Sequence, residues 1–274
     1  MIRMTAEKIE EALGIDPKVV KKELTSFISN KVKEAGAKGV VVGLSGGLDS
    51  STVAFLCVKA IGARRVIGLI MPEENLTNPE DVEDALSLAK KLDIEYRIIN
   101  IKPIFESLRA SIKDFKDEAV LPAANLRPRI RMTILYYYAN LLNYLVVGSG
   151  NRSEIRAGYF TKHGDGGADL FPIGCLYKTQ VKRLAEHLGV PKKIIEKTPS
   201  AGLWAGQTDE AELGISYEKL DRIYAGLDLN LSMKDIAKAV GVKESEVKRF
   251  IERENRTAHK LKIGEIPRVS LRGS

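Results

Sequence analysis

The chain has 274 residues, with 43 Lys and Arg against 36 Asp and Glu, a formal net charge of +7 and a pI near 9.2. That length suits one sizeable domain with embellishments, or two small ones. With no run of about 18 apolar residues and no signal-peptide hydrophobic region at its start, it reads as a cytoplasmic chain with no membrane partner. Its two cysteines make neither a disulfide framework nor a metal spacing, so Cys57 and Cys175 are expected in or near the core. Aromatic residues are only 6% and form no stacking platform, so the basic balance suits a polyanionic small substrate better than nucleic acid.

In chain order, residues 3–13 and 16–36 read as amphipathic helices. Asp16 and Pro17 supply a cap and an N1 proline, and Gly36 supplies a stop. Residues 39–42 are short, apolar and β-branched, as in a buried parallel strand, and 50–61 have the spacing of a mostly buried helix. A second buried strand is expected at 66–71, a helix from Asn78-Pro79-Glu80 to about Leu92, and a third strand at 94–101. A long helix from about Ala123 to Leu142 leads into a fourth strand at 145–148. Strands alternating with helices give an α/β class: a doubly wound, mostly parallel, Rossmann-like sheet with helices on both faces. From residue 197 a loop punctuated by Pro199, Gly202, Gly206 and Gly214 carries the single Trp204, and so long a loop is usually functional or mobile. Helices at 216–226, 232–240 and 244–258 form a helical C-terminal extension. The expected organisation is one domain: N-terminal helices 1–36, an α/β core 37–196, and a lid loop with C-terminal helices over 197–274.

Gly43-Leu44-Ser45-Gly46-Gly47-Leu48-Asp49-Ser50 lies between the first strand and its helix. Its glycines permit close approach of backbone, and the helix N-terminus aims free N–H groups into the same space, which makes an anion cradle. A P-loop of the G-x-x-x-x-G-K-[ST] kind needs a lysine where this chain has Leu48 and Asp49. A carboxylate beside phosphates needs a cation between them, most simply Mg²⁺. The pattern S-G-G-x-D-S resembles the signature of ATP pyrophosphatases, which cleave ATP between the α and β phosphates. The plainer alternative is a Gly/Ser turn whose Asp caps a helix.

Ligands of doubly wound sheets sit at the carboxyl ends of strands, and Gly148 to Glu154 follow the fourth strand as the first loop follows the first. Glu154 could complete a Mg²⁺ site with Asp49, and Asn151 with Glu154 also reads as a capping box. In the stretch 158–169, Gly164, Gly166 and Gly167 rule out a regular helix. Lys162, Asp165 and Asp169 there offer both signs of charge, which suits a nucleotide ribose and its phosphates. His163 reads as a surface histidine. Arg127, Arg129 and Arg131, two apart on a helix, cannot share a face; one is left for a ligand, and the others pair with carboxylates or face solvent.

These stretches together resemble NAD synthetase of the short, ammonia-dependent type. They are GLSGGLDSS (43–51), NLRPRIRM (125–132), GSGNRSE (148–154), GYFTKHGDGGAD (158–169), PIGCLYKTQV (172–181), TPSAGLWAGQTDEAELGISY (198–217) and His259-Lys260. The resemblance implies the adenine nucleotide alpha-hydrolase type of fold. It also implies an ATP site on Gly43 to Ser50 with Ser149, Lys178 and Ser200, Mg²⁺ on Asp49 and Glu154, and a deamido-NAD site at Arg129, Lys162, Asp169, His259 and Lys260. Asp165 is the candidate for receiving ammonium and taking its proton. Asp49, Lys178 and Asp165 are then the catalytic set. Ser149 and Ser200 stand where threonine is common, which keeps a hydroxyl, and Cys175 stands where the family often has Asp. The implied reaction adenylates the nicotinate carboxylate, releases pyrophosphate, and lets ammonia displace AMP. Family members are homodimers. Longer relatives carry a glutamine-hydrolysing domain for which this chain has no room, so free ammonia or a separate partner chain is the expected nitrogen source.

Two other readings compete. Another pyrophosphatase-loop amidase shares only the first loop, and a tRNA-modifying thiolase would want reactive cysteines that this chain lacks. Residues 232–249 have the look of a DNA-binding helix-turn-helix. Ile236, Val240, Val242 and Val247 fit better as the inward faces of two packed helices.

Overall fold

In the computed structural model, which describes residues 2–204, 206–264 and 266–267, the chain opens with helices α1 (Ile2–Ala12) and α2 (Pro17–Glu34), then strand β1 (Gly39–Gly43). Next come α3 (Leu48–Ile61), β2 (Val66–Ile70), α4 (Pro79–Lys91) and β3 (Glu95–Ile98). After them run α5 (Lys102–Ser111), α6 (Val120–Ala124), α7 (Leu126–Leu142), β4 (Tyr144–Val147) and α8 (Arg152–Ala157). The remainder is helical: α9 (Lys178–Leu188), α10 (Lys192–Ile195), α11 (Asp209–Leu213), α12 (Tyr217–Asp228), α13 (Met233–Val240) and α14 (Glu244–Thr257). Local chemistry sets several of these starts. Asp16 accepts from Lys18 N at 2.8 Å and Asn78 from Glu80 N at 3.1 Å, each followed by a proline in the first turn.

The four strands form one parallel sheet in the order β3-β2-β1-β4. Because successive strand residues point to opposite faces, Val40 and Val42 pack with Ile28, Leu56 and Leu184 of α2, α3 and α9. Val41 points the other way, into a core with Ile67, Val146, Phe105 and Ile130 under α5 and α7. The expected doubly wound architecture is present. A second core, built from helices, joins Ile9 of α1 and Leu13 just after it to Leu220, Tyr224, Ile236, Val247 and Phe250 of α12, α13 and α14. The helix-turn-helix residues Ile236, Val240 and Val247 are thus buried core, as the packing reading requires. No helix among the described residues is long and apolar enough to cross a membrane.

Four expectations need correction. The third strand is shorter than 94–101: it spans Glu95–Ile98, is an edge strand, and leaves Ile98 53% exposed. The chain continues beside β2 through Ile99 N to Ile70 O and Ile101 N to Pro72 O and then enters α5, an unanticipated helix with Pro103 in its first turn. The helix expected from Ala123 begins at Leu126, after the separate short α6. The loop from residue 197 is interrupted by α11, capped by Thr208, and Ala205 within it lies outside the described residues. Cys57 is buried, whereas Cys175 is exposed in the turn before α9.

Candidate active site

β1 has β2 on one side and β4 on the other, so the chain changes winding direction between β1 and β4, and a crevice opens at their carboxyl ends. The loop after β1 enters it. Leu44 N still donates to Leu69 O at 2.8 Å and its side chain is buried, so Leu44 anchors the loop rather than facing the crevice. Gly46 has φ +76°, and a Cβ there would sit 2.1 Å from Asp81 O. Only glycine fits that position. Gly47 is the N-cap of α3 and brings no side chain to cap it, so the first-turn amides are left to a ligand or water. Ser45 Oγ and Ser50 Oγ lie 3.0 Å apart and brace the turn, and Leu48 packs against the main core.

Asp49, in the first turn of α3, meets residues from two other elements. Lys178 Nζ donates to Asp49 Oδ2 at 2.5 Å and to Glu154 Oε1 at 3.3 Å. Asn151 Nδ2 donates to Asp49 Oδ1 at 3.4 Å. The Asn151–Glu154 capping box is also formed, so Glu154 caps α8 through one oxygen and faces Lys178 with the other. The local and the site readings of Glu154 therefore hold together. Burial alone would lower the Lys178 pKa, but the Asp49 and Glu154 carboxylates outweigh it and hold the ammonium above the ordinary lysine value. Burial raises the Glu154 carboxyl, with Lys178 opposing and Asp49 adding to the shift. Ser149 is half-buried in the loop after β4.

Sequence reasoning left three neighbours without a role. Asp209 is 4% exposed and accepts from Tyr217 OH at 3.0 Å and Tyr159 OH at 3.2 Å. Tyr217 OH also lies 3.5 Å from Glu154 Oε1, and Lys178 Nζ is 4.9 Å from the Tyr217 ring centre. Lys197 Nζ reaches Asp81 at 2.7 Å, Asp84 at 2.5 Å and Gly46 O at 3.4 Å, tying the root of the 198–208 loop to the glycine turn. Asp209 and Lys197 had a weak signal, charged residues at the two ends of a Gly/Pro-rich loop. Tyr217 had none. Ser200 bonds within that loop, donating to Gln207 O at 2.8 Å and accepting from Gly202 N at 3.1 Å.

The second group of expected residues gathers beyond the C-terminal end of α8. Gly158 has φ +59° and lies against Thr257 of α14, where a Cβ would come within 2.1 Å of Thr257 Oγ1. The chain after it is held by the 3-10 turn Ala258–Leu261. Lys260 Nζ donates to Gly158 O and Phe160 O at 2.8 and 2.9 Å, and Lys162 Nζ donates to His259 O at 2.9 Å. Arg129 Nε reaches Lys162 O at 3.4 Å. Arg129, Lys162, His259 and Lys260 are therefore brought together. Asp169 stands apart, accepting from Val146 N at 2.8 Å and from Tyr136 OH at 3.1 Å. Tyr136 is two turns along α7 from Arg129, about 10 Å. Asp165 is exposed and accepts from Thr161 N at 2.9 Å. Of the three arginines, Arg127 pairs with Glu73 and Arg131 with Met71 O, which leaves Arg129 the exposed one. His163 is exposed as well.

Among the described residues no three His, Cys, Asp or Glu side chains form a metal cage. Asp49 and Glu154 instead give two hard oxygen donors beside a glycine-rich cradle. That set fits Mg²⁺, which takes one or two carboxylates and fills its octahedron with phosphate oxygens and water.

A family model for NAD synthase matches residues 20–264. An NH(3)-dependent NAD(+) synthetase of Hyperthermus butylicus is 47% identical over 260 residues, 94% of each chain. That of Archaeoglobus fulgidus is 48% identical over 256 residues, 92% of this chain and 97% of its own. Two solved structures cover 93% of this chain and all of their own: NMN synthetase from Francisella tularensis, 38% identical with TM-score 0.82, and an NH3-dependent NAD synthetase from Campylobacter jejuni, 32% identical with TM-score 0.77. A glycine cradle and an acid–lysine cluster at the switch point of a parallel sheet are what such a match predicts, and the chain belongs to the NAD synthase family.

Proposed function

We propose that the chain amidates deamido-NAD to NAD in the cytoplasm, consuming ATP and ammonia and releasing AMP and pyrophosphate. The observation that carries this is Lys178 bracketed by Asp49 and Glu154 beside the glycine loop, where the triphosphate of ATP would lie. The nicotinate carboxylate attacks the α-phosphorus, and the bond to the bridging oxygen breaks with its electron pair leaving on pyrophosphate. The amides of 46–50 and the Lys178 ammonium stabilise that leaving charge, with Ser149 and Ser200 supplying hydroxyls to ATP. Mg²⁺ bound by Asp49 and Glu154 would supply further neutralisation of the triphosphate. Arg129, Lys162, His259 and Lys260 gather beyond the C-terminal end of α8 to hold the deamido-NAD acceptor, with Asp169 at the far end of that stretch. Lys162 and Lys260 already spend hydrogen bonds on backbone carbonyls, so they shape the loop as well as charge it. Ammonia then attacks the acyl carbon, AMP departs, and Asp165 takes the surplus proton.

Product analysis with ATP, Mg²⁺, ammonium and deamido-NAD tests the reading: NAD, AMP and pyrophosphate are expected. ADP and phosphate would sink it. The likeness to the NMN synthetase supports a second reading, in which the acceptor is the deamidated mononucleotide. Offering both acceptors at equal concentration and comparing kcat/KM decides between them.

A homodimer is proposed too, supported by five large hydrophobic side chains exposed on α5, α6 and α7: Leu108, Val120, Leu121, Tyr137 and Leu141. Sedimentation equilibrium is expected to give twice the 30.2 kDa chain mass, falling to one chain mass for Leu141→Glu.

A further inference from the structure

Lys178 is the first residue of α9 and Glu154 lies in α8, so the distance between their charges depends on how the two short helix starts are held together. Tyr177, the N-cap of α9, has its hydroxyl engaged 2.6 Å from Asp228 Oδ2. The first two amides of α9 find their acceptors elsewhere. Lys178 N donates to Ser153 Oγ at 2.9 Å and Thr179 N donates to Asp221 Oδ2 at 2.9 Å. Ser153 Oγ in turn donates to Asp221 Oδ1 at 2.5 Å. Ser153 and Asp221 both have no solvent exposure. Asp221 comes from α12, in the helical core, and makes no salt bridge among the described residues; burial raises its carboxyl, with its hydrogen bonds and the Lys178 charge opposing. An unpaired carboxylate taken fully out of water is a heavy desolvation penalty for a domain that could have placed an apolar residue there. What the penalty secures is the junction itself: one carboxylate grips the residue before Glu154 and the residue after Lys178.

We infer that Asp221 and Ser153 are a positioning pair, reaching in from the helical core to set the spacing of Glu154 and Lys178 for the adenylation step. The inference rests on the role given above to those two side chains. Neither member touches substrate, so the effect is expected in turnover rather than in affinity. Asn at 221 can still accept from Thr179 N, but its NH₂ group meets Ser153 Oγ as a donor, which reverses that hydrogen bond, and the substitution removes the charge facing the α9 start.

The test is steady-state kinetics, with pyrophosphate release as the readout, on Asp221→Asn, Ser153→Ala and the double variant. The expected result is a fall in kcat of about 10- to 100-fold for each single variant, with KM for deamido-NAD and ammonium within about twofold of wild type. The double variant is expected to be no slower than the slower single, because both remove one junction. Val240→Ala serves as the control for mere loosening, since it opens the same helical core and removes none of the hydrogen bonds at the α8–α9 junction. Its turnover per folded molecule is expected to match wild type. Should Asp221→Asn fail to fold, Ser153→Ala removes a single hydroxyl and carries the same expectation. Turnover of Asp221→Asn and Ser153→Ala like that of Val240→Ala overturns the inference, as do additive losses. If Asp49→Asn is dead while Asp221→Asn is fully active, the inference alone fails. A wild-type chain that releases no pyrophosphate overturns both it and the proposed function.

Discussion

The charge arithmetic at Lys178 decides what Asp49 and Glu154 can do. Two carboxyl groups share a single ammonium in a largely buried place, with Asp209 near it, and burial raises Glu154 and Asp209 toward their protonated forms. Such a cluster is poised to accept one more cation rather than an anion by itself. Asp49→Asn is therefore expected to cut kcat by about 10²- to 10³-fold while still folding cooperatively, because Glu154 remains to pair with the Lys178 ammonium and no packing is lost. Glu154→Gln is expected to do the same. If the two serve one ion and one lysine, the double variant loses little beyond the worse single, which steady-state rates at saturating Mg²⁺ measure directly. Near-normal turnover of Asp49→Asn under those conditions would remove the metal role.

At the scale of elements, the 198–208 loop is the part whose behaviour follows least from packing. Its own bonds close it: Asp209 N donates to Pro199 O at 3.0 Å and Leu203 N to Gln207 Oε1 at 2.6 Å. A loop whose ends meet in this way is a compact surface unit able to move as one body. Trp204 is half-buried within it. An acyl-adenylate must be shielded from water, so a non-hydrolysable ATP analogue with deamido-NAD is expected to change Trp204 emission and to slow proteolysis in 198–208. Unchanged emission and cleavage at saturation would mark the loop as a rigid surface. Its root carries a separate prediction. Burial would raise the Asp84 carboxyl, but its hydrogen bonds from Lys197 and Lys193 outweigh that and hold it below its ordinary 3.8. A carboxyl depressed in the folded state stabilises the fold above its unfolded pKa and loses that contribution as the pH falls through its folded value. Lys197→Met is therefore expected to be less stable than wild type at neutral pH by about 1–2 kcal/mol. The gap is expected to narrow as the pH is taken below 3.8, a trend that denaturant melts at several pH values will read. Because Lys197 also reaches Gly46 O, the same variant is expected to raise KM for ATP more than it lowers kcat.

For the molecule as a whole, the open question of chemistry is the nitrogen source. A glutaminase needs a nucleophilic cysteine. Cys57 is buried in α3 with its thiol pushed up to about 12 by desolvation, and Cys175, although an exposed residue, has its thiol raised by partial desolvation against its neighbours, the opposite of what an attacking thiolate requires. Ammonium is therefore expected to support turnover of the purified chain, and glutamine in ammonia-free stocks is not. Since only neutral NH₃ attacks an acyl carbon, the rate at fixed total ammonium is expected to climb with pH toward the ammonium pKa. A pH profile that is flat over that range, or robust glutamine activity, would count against the proposal.

Much of this was legible in the chain before any coordinates. β1 and β2 are five-residue apolar runs, each followed by a helix, and a run buried on both faces can hardly be anything but a central parallel strand. Asp16-Pro17 and Asn78-Pro79 marked helix starts because a cap is a local bond between near neighbours. The glycine loop was legible for the same reason, since strand, turn and helix are contiguous. Four features were decided only by the tertiary fold. β3 is brief because its side chains face water at a sheet edge, which no local pattern records. Asp169, one residue of a motif that otherwise gathers around Lys162, is drawn away by the amide of Val146. Asp221 reads along the chain as one more polar residue of an amphipathic helix, yet it is fully buried at the junction of two others. Lys178 meets Asp49 across 129 residues of sequence. A periodicity reports which face of one element is apolar. Which charged groups from distant elements end up a hydrogen bond apart is set by how those faces pack, and that information is distributed over the whole sequence rather than written at either residue.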